Sequence, residues 1–152
     1  MNEGTVLLVE DSQDDVDLTL HCFHNSKITN KINVVRDGTQ AIDYLFGKGH
    51  GGARKHRDLP ILVLLDLKLP KVGGIEVLRR IRSDPRTRRL PVVILSSSNQ
   101  EKDRANGYDG GANSYICKPV DIDQFNEAIR QLGLYWLLLN ERPPEPVEKT
   151  VS

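Results

Sequence analysis

Short runs of Val, Ile and Leu recur at residues 6–9, 32–35, 61–65, 92–95 and 115–117, each closed by polar or turn-forming residues. Apolar runs of that length, without strict alternation, suit strands buried on both faces. Between them the apolar positions take helical spacing: Val16, Leu20 and Phe23; Ala41, Ile42 and Leu45; Ile75, Leu78 and Ile81; Phe125, Ala128, Ile129 and Leu132. A strand-then-helix unit repeated about five times predicts an α/β fold, a mainly parallel, doubly wound sheet with helices on both faces. Right-handed crossovers would gather the loops that follow the strands at one edge, where open sheets of this kind bind ligands.

Three segments depart from the repeat. Residues 47–57 read Gly-Lys-Gly-His-Gly-Gly-Ala-Arg-Lys-His-Arg, a composition too rich in glycine and basic charge to pack, which predicts a mobile surface loop. Residues 101–112 should be helical, but Gly107, Gly110 and Gly111 weaken that helix. The last helix is predicted over residues 121–139 and ends in Leu134-Tyr135-Trp136-Leu137-Leu138-Leu139. Six consecutive apolar residues on a helix cannot all face one core, so some should be exposed and available for association. Beyond them Pro143, Pro144 and Pro146 with flanking charges predict a disordered tail over residues 140–152, leaving one domain over residues 1–139 and too little chain for an output domain.

Composition narrows the function classes. The chain has 152 residues, a length suited to a single core, and 21 Lys plus Arg balance 21 Asp plus Glu, so no overall field draws it to nucleic acid or an anionic membrane. Cys22 and Cys117 lie far apart without metal-ligand spacing and read as buried thiols. The first apolar run is broken at once by Glu10 and Asp11, too soon for a signal sequence or a membrane span, and a cytoplasmic protein is expected.

The chemistry collects at strand ends. Glu10 and Asp11 end the first strand and Asp66 the third; if those strands are neighbours, three carboxylates meet. Oxygen-only ligands select a hard cation, and a site with few protein ligands beside a phosphate suits Mg²⁺, with Mn²⁺ as a substitute. Glu10 and Asp11 read more simply as helix-capping residues alongside Ser12 and Asp14, and Asp66 as a turn aspartate; their shared position at strand ends favours the metal site. A metal-screened Asp66 is placed to attack phosphorus. Pro70, Gly73 and Gly74 shape the turn after it. Ser96-Ser97-Ser98 follows the fourth strand with hydroxyl and N–H donors, and Lys118-Pro119 follows the fifth with an ammonium, groups that together stabilise a transferring phosphoryl group.

Together Val6-Leu7-Leu8-Val9-Glu10-Asp11, Leu64-Leu65-Asp66-Leu67-Lys68-Leu69-Pro70, Pro91-Val92-Val93-Ile94-Leu95-Ser96 and Tyr115-Ile116-Cys117-Lys118-Pro119 resemble the receiver domain of two-component response regulators over residues 4–133. The resemblance implies a flavodoxin-like (βα)5 fold with strand order 2-1-3-4-5, phosphorylation by a sensor histidine kinase and slow autodephosphorylation. It implies Asp66 as phosphoacceptor, Mg²⁺ held by Glu10, Asp11, Asp66 and the Lys68 backbone carbonyl, Lys118 and Ser96 at the phosphoryl oxygens, and Tyr115 as a switch that turns inward. Glu10 stands where Asp is commoner and Ser96 where Thr is commoner; Lys68 and Ser98 sit where relatives tune phosphoryl lifetime. The basic loop, Ser83-Asp84-Pro85 and the aromatic extension resemble more closely the single-domain regulators paired with bacterial and cyanobacterial phytochromes, with a homodimer through the last helix as one expectation.

Three other readings are weaker. A flavodoxin-type cofactor binder needs a phosphate-cradling loop after the first strand, where Glu10 and Asp11 would repel phosphate. A Mg²⁺-dependent phosphohydrolase usually presents a second acid two residues past the nucleophile, where this chain has Lys68. Arg79, Arg80, Arg82, Arg86, Arg88 and Arg89 suggest DNA binding, but no recognition motif accompanies them, and a solvated helix face explains them. His50 and His56 lack further ligands for a metal site.

Overall fold

The computed structural model describes residues 4–47, 59–97, 100–118, 122–141 and 144, with the side chains of Leu138 and Leu139 excepted. The basic loop beyond Gly47, Ser98, Pro119 and most of the tail lie outside the described residues. Five strands form one parallel sheet: β1 (Val6–Val9), β2 (Ile32–Val35), β3 (Leu62–Leu65), β4 (Val92–Ser96) and β5 (Ser114–Cys117). Their order is β2-β1-β3-β4-β5, the flavodoxin-like topology. The helices are α1 (Gln13–Asn25), α2 (Gly38–Phe46), α3 (Gly74–Ser83), α4 (Glu101–Asp109) and α5 (Ile122–Gly133).

The apolar runs form central strands because both of their faces are covered. Val6, Leu8, Leu62, Leu64, Val93 and Leu95 point to one side, against Val16, Cys22 and Phe23 of α1 and Phe125, Ile129 and Leu132 of α5. Leu7, Val9, Val63, Leu65 and Ile94 point to the other, against Ala41 and Leu45 of α2 and Val77, Leu78 and Ile81 of α3. Helix starts follow local chemistry: Ser12 accepts from the Asp15 N–H and Asp37 from the Gln40 N–H, satisfying amides that have no partner inside the helix.

The glycine-rich helix α4 is shorter than the 101–112 prediction. Its Gly107 lies so close to the sheet that a Cβ there would come within 2.7 Å of Ile94 Cδ1 and 3.3 Å of the Tyr115 ring. The weak helix former is thus what lets α4 approach β4 and β5.

The final helix differs from a single run over 121–139. α5 ends at Gly133, and Leu134–Leu139 continues as a π-helical turn in which the Asn140 N–H donates to the Tyr135 carbonyl. The changed winding divides the apolar extension: Leu137 is buried and Trp136 packs against the core, whereas Leu134 and Tyr135 are about half exposed (45% and 52%). Cys22 is buried as expected; Cys117, on the edge strand, is only half-buried.

Candidate phosphoryl and metal site

The register builds the site. Val9 pairs with both Val35 and Leu65, so β1, β2 and β3 end level, and the residues that follow emerge side by side. The Asp66 N–H donates to the Val9 carbonyl at 3.1 Å, and the Glu10 N–H to the Val35 carbonyl at 3.0 Å, carrying the ladder into the acidic residues. Glu10, Asp11 and Asp66 each place a carboxylate oxygen so that all lie within 4.8 Å of one another. Glu10 and Asp66 are buried and Asp11 is exposed, so the cluster opens to solvent on one side.

Asp66 is held from behind. Its Oδ1 accepts from the Lys68 N–H at 3.2 Å, a short turn bond that aims the carboxylate outward from the strand. Gly74, the first residue of α3, rests directly on the Asp66 carbonyl and 2.7 Å, measured from a would-be Cβ, from the Leu67 Cα. Any side chain at that position would displace the backbone bearing the carboxylate.

Lys118 follows β5, and its N–H donates to the Ser96 carbonyl at 2.7 Å, which sets the lysine beside the end of β4. Its Nζ hydrogen-bonds Glu10, reaches Asp15 Oδ2 at 2.9 Å and lies 3.4 Å from Asp66 Oδ2. Ser96 is fully buried, and Tyr115, on β5, is partly buried against the α3 side of the core.

Electrostatics register the crowding. Burial, together with the hydrogen bond and charge of Asp66, pushes the Glu10 carboxyl up to about 7 against the downward pull of Lys118. For Lys118, burial acts to lower the ammonium, but the hydrogen bonds to Glu10 and Asp15 and the charges of Asp66 and Glu10 outweigh it and hold it above its ordinary range. Three carboxylates, of Glu10, Asp15 and Asp66, thus meet one ammonium, with the Asp11 carboxylate beside Glu10 and Asp66, a deficit of positive charge that a divalent cation fits. The donors are hard oxygens on two neighbouring strand ends, one side open to water, which is the donor set such a cation takes.

Of the predicted site residues, Glu10, Asp11, Asp66, Lys68, Ser96 and Lys118 stand at this edge of the sheet, while Tyr115 sits within β5, level with Ile94 and packed on the α3 side of the core. Two partners escaped the sequence reading. Asp15 joins Lys118 from the first turn of α1, where its N–H donates to the Ser12 hydroxyl; the sequence marks an acidic helix start there but not the lysine that meets it. Arg36, just past β2, donates to the Glu10 and Asp11 carbonyls, and nothing in the sequence marked it. Four of the six arginines of the arginine-rich stretch have partners within the fold. Arg79 pairs with Glu76, Arg86 with Asp84, Arg80 lies over the Phe46 ring, and Arg82 donates to the Gly111, Arg88 and Leu90 carbonyls. No helix among the described residues is long and apolar enough to cross a membrane.

Comparison with known proteins agrees with this geometry. The family model described as "Response regulator receiver domain" matches residues 6–130. The probable methanogenesis regulatory protein FilR2 of Methanothrix harundinacea is 39% identical over 138 residues, covering 91% of this chain and 86% of that protein. Response regulator Rcp1 of Synechocystis is 34% identical over 87% of this chain and 88% of its own length. Its Mn²⁺-bound crystal structure superposes with a TM-score of 0.80, at 33% identity, over 93% of this chain and 99% of that one. The phosphorylated cyanobacterial phytochrome response regulator RcpA superposes with a TM-score of 0.82, at 37% identity, over the same shares.

Proposed function

The chain belongs to the receiver-domain family of two-component response regulators, and from that premise we propose that it accepts a phosphoryl group from a sensor histidine kinase onto Asp66 in a Mg²⁺-dependent reaction and signals by a change of shape. The observation that supports this reading is the clustering of the Glu10, Asp11 and Asp66 carboxylates, two of which, Glu10 and Asp66, also meet the Lys118 ammonium. Glu10, Asp11, Asp66 and the Lys68 carbonyl are the residues to hold the cation, which when bound screens the carboxylates and neutralises charge on the phosphoryl oxygens. An Asp66 Oδ forms the bond to phosphorus as the bond to the donor histidine nitrogen breaks. Lys118 then exchanges carboxylate partners for a phosphoryl oxygen, and the Ser96 hydroxyl supplies a further donor. Attack by water on phosphorus later returns Asp66 to its free form, so the chain turns over only its own modification.

Recruitment of Ser96 draws Tyr115 inward and shifts α4, which rests on that ring through Gly107. A phytochrome is the kinase class favoured by the phytochrome-associated neighbours, and the reaction is assigned to the cytoplasm. A second copy of the chain is the partner assigned to the face carrying the exposed Leu134 and Tyr135, of which Tyr135 lines a groove of about 570 Å³ with Tyr108, Trp136 and β5. Monomeric sedimentation at high concentration, with and without phosphorylation, would remove the homodimer.

The test of the central reading is incubation with acetyl phosphate and Mg²⁺ followed by intact mass. The wild type should gain one phosphoryl group and Asp66→Asn none; equal gain by both would overturn the assignment.

A further inference from the structure

The loop between β1 and α1 carries Glu10 and Asp11; its Glu10 N–H donates to the Val35 carbonyl, and its Glu10 and Asp11 carbonyls are gripped by a side chain. The hold comes from the neighbouring strand. Arg36, half-buried just past β2, donates from Nε to the Glu10 carbonyl at 3.0 Å and from Nη2 to the Asp11 carbonyl at 2.8 Å. Its Nη1 donates to Gln13 Oε1, in the first turn of α1, at 2.6 Å. One planar fork therefore spans both acidic residues and the start of the helix that follows them. Arg36 is itself fixed, since its N–H donates to Gln40 Oε1 at 2.8 Å and Gln40 is bonded in turn to the N-cap Asp37.

We propose that Arg36 is a positioning residue for the divalent-cation site, holding the β1–α1 loop in the conformation that presents the Glu10 and Asp11 carboxylates to Asp66. The proposal rests on the reading of Glu10, Asp11 and Asp66 as that site. Arg36 touches no ligating oxygen; it acts through the two carbonyls behind the ligands, as partners one shell out from a metal do. Lysine cannot replace it, because an ammonium is a point donor and cannot reproduce a planar three-way grip.

Charge and positioning predict opposite signs. A guanidinium near carboxylates opposes a cation, so if Arg36 acted by charge alone its removal would tighten metal binding. If it positions the loop, removal weakens binding.

The experiment is titration of the full chain with Mn²⁺ alone, following the electron paramagnetic resonance of free Mn²⁺, for wild type, Arg36→Met and Arg36→Lys. Both variants should bind on the order of tenfold more weakly, at a temperature where circular dichroism shows them folded. Arg36→Met binding as tightly as wild type, or more tightly, overturns the proposal. Should that variant fail to fold, Arg36→Lys decides, because it keeps the charge and loses the fork, and wild-type affinity there overturns it equally. Asp11→Asn and Asp66→Asn keep the two readings apart. If they retain wild-type Mn²⁺ affinity, the site itself is misassigned; if they lose it while Arg36→Met does not, only the role of Arg36 falls.

Discussion

Helices α3 and α4 follow adjacent strands and lie against the same face of the sheet, yet they are held very differently. α3 buries Val77, Leu78 and Ile81 and seats Gly74 on the backbone of Asp66 and Leu67. α4 buries Gly107 alone, and the rest of its surface is exposed or half-exposed. At about 1.5–3 kcal/mol for each large apolar side chain removed from water, three such residues anchor α3 by several kcal/mol that α4 lacks. The helix behind Asp66, the proposed phosphoacceptor, is therefore fixed, and the helix after the Ser96 strand costs little to move. That is the asymmetry a switch needs: rigid chemistry beside an element of low local stability.

Amide hydrogen exchange should expose the difference most directly. Protection of α3 should exceed that of α4 by at least about a hundredfold in the unphosphorylated protein, given the missing apolar anchors; equal protection in the two would contradict the contrast. Next in size, Leu78→Ala should cost about 3 kcal/mol in urea unfolding, because the side chain is fully buried and leaves a cavity. No exposed α4 position should cost half as much when changed to Ala. Gly107→Val should cost about 1–2 kcal/mol, since the added methyls press on Ile94 and the Tyr115 ring. It should also move the Tyr115 ring resonances in the NMR spectrum, joining α4 to the proposed switch residue; unchanged Tyr115 signals would separate them.

The smallest effect lies at the end of α3. Hydrogen bonding to Arg86 holds the Asp84 carboxyl below its ordinary range, against the opposing effect of burial. A depressed carboxyl contributes stability above its unfolded value and loses it as pH falls through the folded one. Asp84→Asn should therefore cost about 0.5 kcal/mol at neutral pH, as partly exposed pairs do. The gap to wild type should close below the ordinary aspartate range, and a gap independent of pH would assign the loss to the helix end rather than to the charge.

The amino-acid order alone determined the five strands and five helices and the identity of the residues at the strand ends, whereas the register made those ends level. Glu10, Asp11, Asp66, Ser96 and Lys118 stand where strand-end positions put them, because periodicity is carried by neighbours in the chain and parallel crossovers have one hand. What only the fold decided were contacts between residues far apart in the chain. Arg36 meets the Glu10 carbonyl across 26 positions, and Lys118 meets Asp15 across 103. Neither bond leaves a local pattern, since each depends on which strands lie side by side. The same holds for the apolar extension: composition required that some of Leu134–Leu139 be exposed, but the π-helical winding after Gly133 chose Leu134 and Tyr135 and sent Leu137 into the core.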